Sequence, residues 1–179
     1  MTTTTTHANG GTMTNLQVFE HEMQVGTSFH NADYVLMWHY TFGMLHALAG
    51  PVNSLCDLGA GVGVWPTVAK NAGVGRVTAY DLNPFHLAYF RQHGNQAVRY
   101  ILDDFLIGIE GAYDVVSSIE VFEHIPDERL LPFVATLAGH CRWFLFSSCP
   151  MPDPDFDARW GHINIKPTAE WKAIFENNG

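Results

Sequence analysis

Basic side chains are scarce in this sequence: nine lysines and arginines stand against 18 aspartates and glutamates, for a formal charge of -9. The average field of such a chain repels phosphate backbones and anionic headgroups, so nucleic acid and anionic membrane are excluded as bulk partners. Cysteine is almost absent as well. Cys56, Cys141 and Cys149 form neither an even framework nor a C-x-x-C pair, and Cys56 lies inside an apolar run. Buried thiols in a reducing cytoplasm are therefore expected. No stretch approaches the roughly 18 apolar residues of a membrane span, and the start lacks the basic-then-apolar order of a signal peptide. The opening threonines and the Asn9-Gly10-Gly11 that follows have nothing to bury, so residues 1–14 read as a disordered tail.

What the chain does have is apolar content: 47% of its 179 residues are hydrophobic and only 15% are charged, enough for one domain with a real core. That domain is expected over residues 15–179. Tyr34, Val35, Trp38, Phe42, Leu45 and Leu48 recur at helical spacing until Gly50-Pro51 breaks the pattern. Strands are then expected at 52–58, 76–80, 97–102, 113–118 and 142–148. They alternate with helices at 64–72, 84–93, 126–138 and 168–177. Such alternation specifies an α/β fold, a mainly parallel sheet with helices on both faces, and places ligands at the carboxyl ends of the strands.

The first of these strands runs into Asp57-Leu58-Gly59-Ala60-Gly61-Val62-Gly63. Glycines between a strand and a helix let the backbone turn sharply and approach a ligand. The spacing is G-x-G-x-G, with Val64 where a dinucleotide fingerprint would carry its third glycine. With its leading aspartate, the segment resembles the signature loop of class I, Rossmann-like, S-adenosylmethionine-dependent methyltransferases. The resemblance implies that Gly59, Ala60, Gly61 and Gly63 wrap the methionine portion and ribose of S-adenosylmethionine. It also implies that Asp57 helps to bind the ammonium group, directly or through water. Asp81, followed by Leu82, ends the second strand, where a carboxylate accepts the ribose hydroxyls; Asp104 and Phe105 follow the third, the family's place for an acceptor of the adenine amino group beside apolar ring contacts. Asp104 is favoured over Asp103. Taken singly, a glycine turn can be a plain connection, Asp81 the start of a turn, and Asp103-Asp104 a solvated pair.

After the fourth strand, Glu120-Val121-Phe122-Glu123-His124-Ile125 resembles the E-x-x-E-H-[IVL] segment of small-molecule methyltransferases, including those of quinone biosynthesis and sugar modification. By that resemblance Glu120 lies nearest the cofactor, and Glu123 and His124 point toward the acceptor. His124 is the first candidate general base, since imidazole suits proton removal near neutral pH; a capping role at the following helix is the alternative. Trp160-Gly161-His162-Ile163-Asn164 resembles the H-[IV]-N loop of methyltransferases found with sugar-modifying enzymes, which makes His162 the second catalytic candidate and the run 149–154 a lid. Glu120, Glu123, His124 and His162 also resemble the metal-binding set of small-RNA 3′-end 2′-O-methyltransferases, but a chain so poor in basic residues is a weak match for RNA, and no metal is assigned. His39, His46 and His86 sit in helical patterns and need no ligand.

These features imply an enzyme that transfers methyl to a hydroxyl, less readily to an amine or carbon, of a small metabolite or sugar. A binding-only module and a nicotinamide-dependent oxidoreductase are the alternatives. The resemblance covers residues 55–179, yet the family sheet usually continues past its fifth strand into an antiparallel closing hairpin that the remaining residues do not supply. Asn178-Gly179 suits a natural helix stop, but the bare fifth strand makes a C-terminally truncated chain, or a sheet completed by a second copy or a partner, the expectation.

Overall fold

The structure is a computed structural model that describes residues 4–6, 12–153 and 161–178. Its frame is a five-stranded sheet built from β3 (Ser54–Leu58), β4 (Arg76–Asp81), β5 (Arg99–Leu102), β6 (Tyr113–Ile119) and β7 (Cys141–Ser147). The order across the sheet is β5-β4-β3-β6-β7 and every pairing is parallel. Parallel neighbours need crossovers, which are made through α3 (Val64–Asn71), α4 (Pro84–His93) and α5 (Asp127–Leu137). The chain reverses its direction of travel across the sheet after β5, so β3 and β6 lie side by side at the switch point, where ligands bind in open α/β sheets.

Alternation along β3 separates two cores. Leu55 faces a cluster with Val77, Ala79 and Val115, covered by Trp38 and Leu45 of α2 (Ala32–Ala49) and by Trp65, Val68 and Ala69 of α3. Cys56 and Leu58 face the other cluster, with Val116, Leu130, Phe133 and Val134 of α5 and Trp171 of α6 (Thr168–Asn178). The result is three layers, helix on sheet on helix.

The expected elements are all present, with ends shifted by a residue or two. The third strand begins at Arg99 instead of 97 because Asn95 holds a turn: its side chain accepts from the Ala97 N–H at 2.9 Å and its carbonyl from the Val98 N–H at 3.0 Å. One helix had no counterpart in the periodicity, α1 (Asn15–Gln24), which opens on a capping box between Thr14 and Gln17. Within the stretch expected to be a tail, β1 (Thr4–Thr6) pairs antiparallel with β2 (Thr12–Thr14); the rest of residues 1–11 lies outside the described residues, as do Pro154, Trp160 and Gly179. Among the described residues no helix is long and apolar enough to cross a membrane. The sheet's edges are β5 and β7, the latter with Trp143 44% exposed.

Candidate cofactor and acceptor site

The glycine loop joins the end of β3 to α3. Gly59, Gly61 and Gly63 have φ of 73°, 54° and 81°, the left-handed region that side-chain-bearing residues avoid. Their surroundings differ. A Cβ on Gly59 would stand 2.5 Å from Val121, and one on Gly63 would stand 2.5 Å from Phe90, so both are packed by the protein itself. At Gly61 an added Cβ meets nothing within 4 Å. This glycine alone of the three faces open space, the geometry required of a backbone that a ligand approaches. The loop is pinned from outside: the Tyr80 carbonyl accepts the N–H groups of Gly59 and Ala60, both at 2.9 Å, and the Tyr100 hydroxyl donates to the Gly61 carbonyl.

Asp57 lies under the loop and is almost wholly buried. Parallel register sets Ser117 of β6 beside it, and the Ser117 hydroxyl donates to the Asp57 carboxylate at 2.7 Å while accepting from the Trp65 indole at 3.0 Å. Burial pushes the Asp57 carboxyl up to about 7; the Ser117 hydrogen bond opposes this and the nearby Asp81 charge adds to it.

Asp81, at the end of β4, is the best-connected of the expected acidic groups. One oxygen accepts from the Gly61 N–H at 2.8 Å; the other accepts from the Asn83 N–H at 2.7 Å and lies 3.1 Å from His86 Nδ1. The opposite ring nitrogen of His86 is 2.6 Å from Glu22 of α1. Leu82 beside Asp81 is exposed. At the end of β5, Asp104 caps the short helix Phe105–Ile107 through the Leu106 N–H at 3.0 Å, and its other oxygen pairs with Arg129 at 2.5 Å. Phe105 is buried in the second core, stacked near Phe122. The Asp103 side chain accepts from the Asp104 N–H at 2.8 Å.

The segment after β6 is strained where the chemistry was expected. Glu120 has φ of 54°, alone among the described non-glycine residues in being positive, and is held by its own N–H on the Ser147 carbonyl at 2.9 Å and by the Ser147 hydroxyl on its carboxylate. Its carboxyl also hydrogen-bonds that of Glu123, which is fully buried. Burial, then the Glu120 neighbour, push Glu123 up to about 8. The Glu123 backbone carbonyl accepts from the Ile163 and Asn164 N–H groups at 2.8 and 2.9 Å, and Asn164 and Lys166 bind Asp127, each at 2.8 Å. These bonds sew the 161–166 loop onto the 120–127 segment. They bring together two histidines 38 positions apart: the rings of His124 and His162 meet edge to face, centroids 4.9 Å apart. Glu123, His124 and His162 each offer a ligand atom within 4.8 Å of the others, a donor set able to hold a divalent ion.

Sequence reasoning missed the partners. Ser117 and Trp65 carry no motif, and only strand register puts them beside Asp57. Glu22 and His86 are recognisable only once α1 is docked on α4, although the Thr14-x-x-Gln17 capping signal announced that helix. A shallow depression lined by Arg76, Arg99, Glu110 and Tyr113 lies toward the opposite, N-terminal ends of the strands and takes no part in the site.

A doubly wound parallel sheet with a glycine loop at its switch point defines a Rossmann-like fold. The model of the methyltransferase domain family matches residues 37–179, and the chain belongs to that family. It is an S-adenosylmethionine-dependent methyltransferase. Among solved structures it is similar to magnesium protoporphyrin IX methyltransferase from Synechocystis PCC 6803 with bound S-adenosylhomocysteine (SAH): 22% identity, 85% of this chain and 77% of that one covered, TM-score 0.64. It is also similar to the plantazolicin methyltransferase BpumL in complex with a pentazolic desmethylPZN analog and SAH, at 11% identity over 88% and 67% of the chains with a TM-score of 0.64. A putative sarcosine dimethylglycine methyltransferase from Galdieria sulphuraria shares 16% identity over 83% and 60%, with a TM-score of 0.61. No curated protein matches the sequence.

The raised Asp57 carboxyl makes stability depend on pH. Below its ordinary value of 3.8 both folded and unfolded chains hold the proton; from there to about 7 only the folded chain does. The contribution is therefore full in acid and is lost as pH rises through 7. Asp57→Asn keeps an acceptor for Ser117 and removes this slope. In urea titrations, wild type should lose on the order of 2 kcal/mol more stability than the variant between about pH 5 and about pH 8. Parallel curves would show that Asp57 is ionised in the folded chain throughout.

Proposed function

We propose that residues 15–179 form a cytoplasmic domain that methylates a hydroxyl of a small metabolite or sugar, with His124 as general base and His162 beside it. The carrying observation is the edge-to-face approach of the two rings at the strand ends, in a loop pair held by the Glu123 carbonyl. S-adenosylmethionine, when bound, supplies an electrophilic methyl group. Asp57, the loop from Gly59 to Gly63 and Asp81 would hold it, with Leu82, Asp104, Phe105 and Glu120 along its rim. Attack by a hydroxyl is an in-line displacement, so the chain's work is to align the nucleophile and to move its proton from oxygen to the His124 imidazole. His162, packed on that ring, limits its orientation and walls the acceptor side.

The similar structures are named for acceptors as unlike as magnesium protoporphyrin IX and plantazolicin, so likeness of fold selects no acceptor. The hydroxyl is favoured here because a histidine base has a proton to remove. His124→Ala should lower turnover roughly 10²- to 10⁴-fold with SAH affinity within about twofold of wild type. Loss of SAH binding in that variant would reassign His124 to the framework of the site.

A second reading is favoured by the clustering of donor atoms of Glu123, His124 and His162 within 4.8 Å. In it these residues hold a divalent ion that lowers the acceptor's pKa, and His124 is a ligand instead of a base. Dialysis against a chelator separates the two: turnover that survives chelation supports the base, and turnover lost and then restored by added divalent metal supports the ligand role.

A further inference from the structure

The site described above leaves one buried charged chain unused. His86, 4% exposed at the start of α4, bridges two carboxylates: Nδ1 lies 3.1 Å from Asp81 and Nε2 lies 2.6 Å from Glu22. Glu22 belongs to α1, which packs Phe19 on Phe85, His86 and Tyr89 of α4 and is tied at its first residue, where the Asn83 side chain donates to the Asn15 carbonyl at 2.9 Å. A helix far from the sheet in sequence therefore reaches the ribose-end carboxylate through a single imidazole.

We propose that Glu22 and His86 are positioning residues for the methyl donor, and that α1 is thereby part of the cofactor site. Three contacts fix Asp81. The Gly61 and Asn83 N–H groups hold one oxygen each, and the His86 ring holds the oxygen shared with Asn83. The two backbone donors come from the loops themselves, whereas His86 is oriented through its far nitrogen, 2.6 Å from Glu22 and 3.4 Å from the Asn83 side-chain nitrogen, and by the Phe19 ring packed against it. A carboxylate on each side keeps the imidazole doubly protonated: burial opposes the charge, but the hydrogen bonds and charges of Asp81 and Glu22 overcome it and raise the group to about 10. Doubly protonated, the ring donates from both nitrogens and cannot turn without losing a charge-assisted bond. Asp81 is so held with its carboxylate plane set in advance, and a preset acceptor costs a ribose less to engage than a mobile one.

The proposal rests on the reading that Asp81 receives the ribose hydroxyls, and the test separates the two. Calorimetric titrations of the full chain compare SAH with S-(2′,3′-dideoxyadenosyl)homocysteine, which lacks both hydroxyls, for wild type, Glu22→Gln, His86→Gln and Asp81→Asn. Wild type is expected to prefer SAH by about tenfold or more, the worth of a hydrogen bond to a charged group. Glu22→Gln and His86→Gln should each weaken SAH about fivefold or more while leaving the dideoxy ligand within about twofold, so that the preference collapses. Retained binding of the dideoxy ligand also reports that each variant is folded. Glu22, at the partly exposed end of the bridge, carries the test should His86→Gln not fold. Equal weakening of both ligands in Glu22→Gln, or no weakening of either, overturns the proposal while a lost preference in Asp81→Asn keeps the role of Asp81. An Asp81→Asn chain that keeps the full ribose preference overturns the underlying reading, and this one with it.

Discussion

The Tyr80 carbonyl, at the penultimate residue of β4, accepts the N–H groups of both Gly59 and Ala60, and the placement of the site depends on that bifurcated contact. It extends the β3–β4 pairing one step beyond the last residues of β3 and forces the chain to turn across the end of its neighbour. Only glycine follows such a turn cheaply, since three positions must adopt positive φ within five residues. Once the turn is made, Gly61 lies over Asp81, its N–H bound to the carboxylate and its missing side chain leaving open space. Asp57 falls beneath, and α3 begins at Val64, directly after Gly63.

Electrostatics around that turn are arranged in layers of decreasing burial. Asp57 is shut away with Ser117 and Trp65 and holds its proton to about 7; Asp81, closer to the surface, is offset by the His86 cation; Asp104 is occupied by a helix start and Arg129. Three carboxylates near the carboxyl ends of adjacent strands would repel each other if all were bare. The protein distributes protons and counter-charges so that each is stabilised differently. The same logic recurs after β6, where burial and then the Glu120 neighbour raise the Glu123 carboxyl.

Much of this was readable from residue order. The strand–loop–helix junction at Asp57–Gly63, the helical spacing of Tyr34, Trp38, Phe42 and Leu45, and the short apolar runs specified the doubly wound sheet because period and turn chemistry are local properties. The approach of His124 to His162 was suggested by resemblance, but its cause is the Glu123 carbonyl, a backbone acceptor that no side-chain motif records. Ser117 and His86 escaped for a related reason: a serine in an apolar strand and a histidine on an amphipathic helix look like ordinary packing until register and docking supply their partners. Leu82 and Phe105, both expected along the cofactor, are divided by the fold, one exposed and the other within the core. Local sequence does not encode that difference, since tertiary packing decides it.

The proposed site puts the methyl donor against the open face of Gly61. Titration of SAH and NAD into wild type and Gly61→Trp tests this directly, because an indole there fills open space at a backbone cost of only about 1–2 kcal/mol. Wild type is expected to bind SAH and not NAD, and the variant, still folded by its thermal transition, to bind neither. SAH binding of equal strength to a folded Gly61→Trp chain would contradict the placement of the cofactor on the glycine loop.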